Sequence, residues 1–211
     1  MYSVIIPTMW KCDRLTATLQ ELNDHPLVGE IILIDNTPNT LKIKLSKVNH
    51  ILEGKNTYVN PAWNKGVELS KYDKLLILND DIWMDWRILD ILEPYITEQN
   101  GLIGLHDDYN VEYPESELCG LQATMTRTHG FGCAIFVHKE NYSPIPEQMK
   151  LWSGDDWLFV KARNRRKQNY ILVDYTINGE ISATTNSLDD DSNIEQIKEV
   201  DLMLKHYYRL F

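Results

Sequence analysis

The chain has 211 residues, 43% hydrophobic and 25% charged, which suits one ordinary soluble globular domain with a substantial core. A formal net charge of −10 argues against a protein that coats nucleic acid non-specifically, because such binding rests on many Lys and Arg contacts to phosphate; it does not exclude a local basic patch. Three cysteines without metal-like spacing (Cys12, Cys119, Cys133), an N-terminus lacking the basic and apolar regions of a signal peptide, and no apolar run near about 20 residues point to a cytoplasmic protein with reduced thiols and no membrane span.

Tyr2–Ile6 reads as a β-branched strand ending at Pro7, which cannot donate to a ladder. Asp13–Leu22 has Leu15, Leu19 and Leu22 at helical spacing, with Asp13 as N-cap. Gly29–Ile34 is a second buried strand. It runs into Asp35-Asn36-Thr37-Pro38, so Asp35 is either a carboxylate for ribose or base groups or a turn-forming residue. Leu41–Leu52 is weakly patterned and reads as a short helix and then an edge strand. Asn60-Pro61 opens a helix in which Gly66 lets a neighbour pack closely.

Lys74–Leu78 is a short apolar strand, buried on both faces, that runs directly into Asn79-Asp80-Asp81. Carboxylates are almost never fully buried unless paired or metal-bound, so this strand delivers charge to the carboxyl edge of a sheet, where open α/β sheets bind ligands. Hard oxygen ligands of this kind suit Mg²⁺ or Mn²⁺ bridging to substrate phosphates. The competing reading makes Asp80 and Asp81 a polar turn, with Asp81 capping a helix over Trp83–Ile91. The alternation of strands and helices argues for a parallel sheet with right-handed crossovers.

Four stretches together resemble the nucleotide-sugar glycosyltransferases of the GT-A fold, family 2 type. Ser3-Val4-Ile5-Ile6-Pro7-Thr8 resembles the opening strand, and Glu30–Asn36 the second strand with its trailing acidic pair. Asn64-Lys65-Gly66-Val67 resembles the Arg-Asn-x-Gly helix start, with Trp63 in place of Arg. Leu78-Asn79-Asp80-Asp81 resembles the Asp-x-Asp signature, with Asn79 for the first Asp. The resemblance implies a single α/β GT-A domain, Rossmann-like, with a mostly parallel central sheet flanked by helices and a smaller acceptor-side half. Residues 1–98 would bind the nucleotide sugar and residues 99–211 the acceptor. It further implies that Pro7, Thr8 and Asp35 line the base and ribose pocket, that Asn64 and Lys65 lie near the nucleotide, and that Asp81, helped by Asp80 or Asn79, holds Mn²⁺ or Mg²⁺.

In the second half, Gly101–His106 is a strand, Asp107–Leu118 an acidic loop or flap, and Gly130–Val137 a strand entered through two glycines. Asp155 and Asp156 then stand after Gly154 and between Trp152 and Trp157, ahead of an apolar helix. Like charges and aromatic walls raise a carboxyl pKa toward the range useful for a base, while a helix start with Asp155 as cap explains the same residues structurally. The family places an acidic motif here, so the resemblance implies Asp156 as general base, with Asp155 in the place of the usual Glu. The basic run Lys161–Lys167 reads as a solvated helix end or as a phosphate contact. The family's late histidine metal ligand is missing, leaving Asn178, Glu180 or water for that place. Ser192 opens a terminal helix whose Ile194, Ile197, Val200 and Leu204 stripe would pack on the sheet or form a dimer.

The reading is thus an inverting, metal-assisted transfer of a sugar from a nucleoside diphosphate sugar to a hydroxyl acceptor, with a surface glycan or a hydroxymethylated DNA base among the acceptors. A non-catalytic nucleotide- or sugar-binding domain and a nucleotidyltransferase of similar topology are the alternatives. The latter is disfavoured because Pro7-Thr8-Met9-Trp10-Lys11 has no glycine-rich loop.

Overall fold

The computed structural model describes residues 1–38, 43–106, 120–180 and 193–211. The acidic stretch expected to form a flap at 107–118, Cys119 and Ser192 fall outside these residues. Ten strands are described: β1 Tyr2–Thr8, β2 Val28–Asp35, β3 Val48–Leu52, β4 Lys74–Leu78, β5 Ile82–Met84, β6 Asn100–Leu105, β7 Gly120–Thr124, β8 Ala134–His138, β9 Gln168–Val173 and β10 Ile177–Gly179. Five α-helices accompany them: α1 Leu15–Asp24, α2 Val59–Leu69, α3 Ile88–Leu92, α4 Gly154–Asn164 and α5 Ile194–Tyr207. None is long and apolar enough to cross a membrane.

The main sheet has the order β3-β2-β1-β4-β8-β6-β9-β7. β3, β2, β1 and β4 are mutually parallel, as the alternation predicts. Beyond β4 the sheet is mixed. β8 runs antiparallel to β4 and β6, β9 is parallel to β6, and β7 is antiparallel to β9. A separate two-stranded ribbon pairs β5 with β10.

The central strands read as continuous apolar runs because alternate side chains enter two cores. Val4, Ile6, Ile31, Leu33, Leu76 and Leu78 pack on one face with residues of α1 and α3. Ile5, Ile32, Ile34, Leu75 and Ile77 pack on the other with residues of α2 and α4. Gly66 on α2 is required by this second core: a Cβ there would stand 2.3 Å from Cγ2 of Ile5.

Several local expectations give way to tertiary context. β1 continues through Pro7 to Thr8; Pro7 pairs with Ile34 on the β2 side but lies beyond Ile5, the last residue registered with β4, so its missing N–H is tolerated where only one neighbour is paired. Asp13 does not cap α1, which starts after Arg14 without a side-chain cap. Residues 43–47 are not helical, although β3 is the expected edge strand. The helix expected from Trp83 is instead strand β5, with α3 starting at Ile88, so Asp81 is no helix cap.

The terminal helix α5 is held by a charge as well as by its apolar stripe. Asp201, fully buried, accepts the backbone N–H groups of Lys150, Leu151 and Trp152, each at 2.8 Å. Leu204 packs on the second core, whereas Leu202, Met203 and Tyr207 are exposed.

Replacing Gly66 by Ala should destabilise the fold by about 1–3 kcal/mol, since the methyl group meets the β-branched Ile5 rather than a flexible chain end. A lowered urea midpoint with an unchanged slope would register it; an unchanged midpoint would show that α2 can shift freely.

Candidate active site

The carboxyl ends of β1, β2 and β4 converge because these strands are parallel and in register, with Thr8 beside Asp35. Beyond β4 the chain continues as Asn79-Asp80-Asp81. The N–H of Asn79 donates to the carbonyl of Cys133 at 2.9 Å, and the N–H of Glu180 donates to the carbonyl of Asp81 at 2.9 Å. The acidic pair is thereby fixed at the sheet edge by segments from the second half. The Thr8 hydroxyl donates to Oδ2 of Asp80 at 2.7 Å and accepts from the N–H of Trp10 at 2.8 Å, which ties the ends of β1 and β4 together.

A cleft of about 410 Å³ opens here. Pro7, Thr8, Asn79, Asp80 and Asp81 line it on the sheet edge, and Asp155 and Asp156 line it from the start of α4. The two acidic corners, 75 residues apart in the chain, therefore share one opening. Leu151, Trp152, Ser153, Arg127, His129 and Lys205 complete that side, and Tyr58, Val59 and Trp63 contribute from around the start of α2.

The start of α4 is built by close backbone packing. Ser153 takes a left-handed conformation with φ of 61°, and a Cβ on Gly154 would fall 2.0 Å from Oδ1 of Asn60. Asn60 is therefore a fastener rather than the expected cap of α2. Its Nδ2 donates to the carbonyls of Met149 and Trp152, at 3.2 and 3.1 Å. Asp155 is not the cap of α4 either; it lies in the first turn with Asp156, where the helix dipole favours negative charge. Gly132 admits the Asp155 side chain, which approaches within 2.9 Å of where a Cβ would stand.

Asp156 is held at both oxygens. Nε of Arg127 donates to Oδ1 at 2.6 Å and Nζ of Lys205, from α5, donates to Oδ2 at 2.7 Å. Arg127 also pairs with Asp155 at 2.9 Å. Burial pushes the Asp155 carboxyl up, Arg127 pulls against that shift, and the neighbouring charge of Asp156 adds to it. The raised carboxyl expected of this pair is thus found on Asp155.

Three residues expected near the nucleotide do not line the cleft. Asp35 is fully buried and does not line the cleft. Trp10 Nε1 donates to its Oδ2 at 2.7 Å, the hydroxyl and N–H of Thr37 donate to Oδ1 at 2.6 and 3.0 Å, and Nε2 of His50 lies 3.0 Å from Oδ2. Burial alone would raise this carboxyl, but these bonds hold it below the usual range. Asn64 fastens α2 to the chain before α4: its Nδ2 donates to the carbonyl of Ile145 at 2.8 Å, and its Oδ1 accepts from Tyr142 and from the N–H of Ile145. Lys65 pairs with Glu53. Neither lines the cleft, since both side chains are engaged by these neighbours.

Among the described residues no group of three His, Cys, Asp or Glu is placed to hold a metal. Asn178 and Glu180, the substitutes considered for the missing histidine, do not line the cleft. The donor set still suits a hard divalent cation, since Mg²⁺ is commonly bound by one or two carboxylates together with substrate phosphates, and Asp80 and Asp81 supply two at one strand end. The basic run at 161–167 lies toward the far end of α4. Arg163 donates to the carbonyls of Met125 and Phe211, Arg165 to that of Glu140 and Lys167 to that of Glu98, so these cations close helix and chain ends.

Because Asp155 binds its proton more tightly in the folded protein than its ordinary value of 3.8, it supports folding fully below that value, and the support is lost as pH rises through the folded value. In Asp155→Asn this loss is absent. The variant-minus-wild-type difference in melting temperature should therefore increase between about pH 3 and pH 7. A decrease over that range would mean that the attraction to Arg127 outweighs burial.

The glycosyl transferase family 2 model matches residues 3–132. No curated protein matches the sequence. Among solved structures, S. aureus TarS 1-349 is similar with a TM-score of 0.62 at 14% identity, over 95% of this chain and 69% of that one. A longer S. aureus TarS chain gives 0.61 at 16%, over 94% of this chain and 42% of that one. S. aureus TarS 1-349 in complex with UDP-GlcNAc gives 0.57 at 14%, over 95% and 70%. At these identities the structures speak to the fold, and the family match, spanning more than half of the sequence, speaks to membership. The chain belongs to glycosyl transferase family 2 and is a glycosyltransferase of the GT-A fold.

Proposed function

We propose that the cleft binds a nucleoside diphosphate sugar and transfers its sugar to a hydroxyl acceptor in one inverting displacement, with Asp156 as general base. The observation that carries this reading is that the carboxylates at 80–81 and at 155–156 line one cleft, as a site needs if it must hold a diphosphate near one acidic pair and deprotonate an alcohol near the other. The complexes of S. aureus TarS with UDP and with UDP-GlcNAc add support for a uridine diphosphate donor. On this reading the donor lies over the ends of β1 and β4, against Pro7, Thr8 and Asn79, and the acceptor enters from the side of Trp152 and α4.

Asp81, with Asp80 beside it, would hold Mg²⁺ or Mn²⁺; such an ion supplies charge neutralisation at the leaving diphosphate. The chain's own groups do the rest. Thr8 orients Asp80 through its hydroxyl. Arg127 holds Oδ1 of Asp156 and so orients the carboxylate at the helix start. Asp156 takes the proton of the acceptor hydroxyl as that oxygen bonds to the anomeric carbon, and the bond from that carbon to the diphosphate oxygen breaks on the opposite face. A single displacement inverts the anomeric configuration.

A screen of nucleotide sugars by thermal shift, with and without Mn²⁺, should single out the donor, since ligand at 100 times its Kd stabilises by about 2.7 kcal/mol. With that donor, Asp156→Asn should retain binding and lose at least about a hundredfold in kcat, the range expected for removing a general base. A fully active Asp156→Asn enzyme would overturn the assignment. Asp81→Ala should abolish any difference in donor affinity between Mn²⁺ and chelator, and a difference that survives would place the cation elsewhere.

A further inference from the structure

The proposed base is not ready to act as it stands. Both of its oxygens are capped by cations: Oδ1 by Arg127 at 2.6 Å and Oδ2 by Lys205 at 2.7 Å. The two cations differ in how they are held. The Arg127 guanidinium is bound on several sides, since it also pairs with Asp155 at 2.9 Å and donates to the carbonyls of Thr128 and His129 at 2.8 and 3.4 Å. Lys205 reaches Asp156 by a single ion pair at the end of a flexible four-carbon stem, with the ring of Phe211 5.9 Å away on another side. Its backbone is nevertheless fixed, because Asp201 one turn earlier is buried and accepts three N–H groups from the loop leading to α4. A rigid base with a movable head thus stands over the same cleft as Asp80 and Asp81.

Charge decides what that head would prefer. Asp80, Asp81, Asp155 and Asp156 place four carboxylates around the cleft, against Arg127 and Lys205. A diphosphate entering this field is repelled unless a cation turns toward it. It also carries more charge than one carboxylate and offers more acceptor oxygens to an ammonium group. Asp156 would lose one partner by the exchange and keep Arg127.

We propose that Lys205 is a diphosphate-binding residue that leaves Oδ2 of Asp156 when the donor enters, so that filling the donor site uncovers the oxygen that accepts the acceptor's proton. The proposal rests on the nucleotide-sugar reading above. In the step that follows, the acceptor's O–H proton passes to Oδ2, the acceptor oxygen bonds to the anomeric carbon, and the electron pair of the breaking bond remains on the diphosphate, which Lys205 then faces. Deprotonation is thereby tied to the presence of the donor.

Calorimetric titration of the full chain with UDP, and separately with inorganic diphosphate, tests the exchange. Lys205→Met should weaken both ligands about tenfold, and Lys205→Arg should largely restore them. Asp156→Asn, by releasing Lys205, should tighten UDP binding several-fold when Lys205 is present and leave it unchanged in the Lys205→Met background. Wild-type affinity in Lys205→Met, checked for an unaltered melting temperature, would overturn the role of the lysine alone. So would an Asp156→Asn effect that persists without Lys205. A wild-type chain that binds none of UDP, GDP, ADP or CDP would overturn the donor-site reading and this proposal with it.

Discussion

The arrangement depends on the placing of Arg127 between two adjacent carboxylates. Asp155 and Asp156 sit in the first turn of α4, largely removed from water, and a buried charge without a partner costs several kcal/mol. The helix dipole offsets part of that cost and the guanidinium more of it. Arg127 belongs to no regular element, yet it fixes the orientation of both acids and is itself fixed by backbone carbonyls. Among the described residues, Asp156 is held from two directions, by Arg127 and by Lys205 of α5.

The other acidic corner follows a different physical logic. Asp80 and Asp81 owe their place to strand geometry: four parallel strands in register end along one edge, and the strand that ends in acids is the innermost of them. Thr8 at the end of β1 meets Asp80 at the end of β4, and the ribbon of β5 and β10 anchors the backbone just after Asp81. The sheet thus supplies one pair of carboxylates and a helix start supplies the other. The segments between, notably Gly132 and Cys133, touch both, through the Asp155 side chain and the N–H of Asn79.

Much of this was legible beforehand. β4 was readable to the residue, because a five-residue apolar run bounded by charge has few alternatives. The two acidic pairs stood out, since carboxylates directly after an apolar strand or before an apolar helix need a reason. The cap assignments fared worse. Asp13, Asn60 and Asp155 all have a suitable residue type near a helix start, and none is a cap, because the N-cap positions fall on Arg14, Tyr58 and Ser153. Asn64 and Lys65 carry only a four-residue likeness; their position on the helix circumference, which decides whether a side chain meets the cleft or a neighbouring loop, is not carried by so short a motif.

The sequence by itself determined the α/β alternation, the buried central strands and the two acidic centres, since each is written in local pattern: period, burial and charge over fewer than about ten residues. Only the tertiary structure decided that these centres share a cleft, that Arg127 and Lys205 neutralise one of them, and that Asp35 is sealed beneath Trp10. The contacts responsible join residues 29, 49 and 25 positions apart, and no local pattern records such separations.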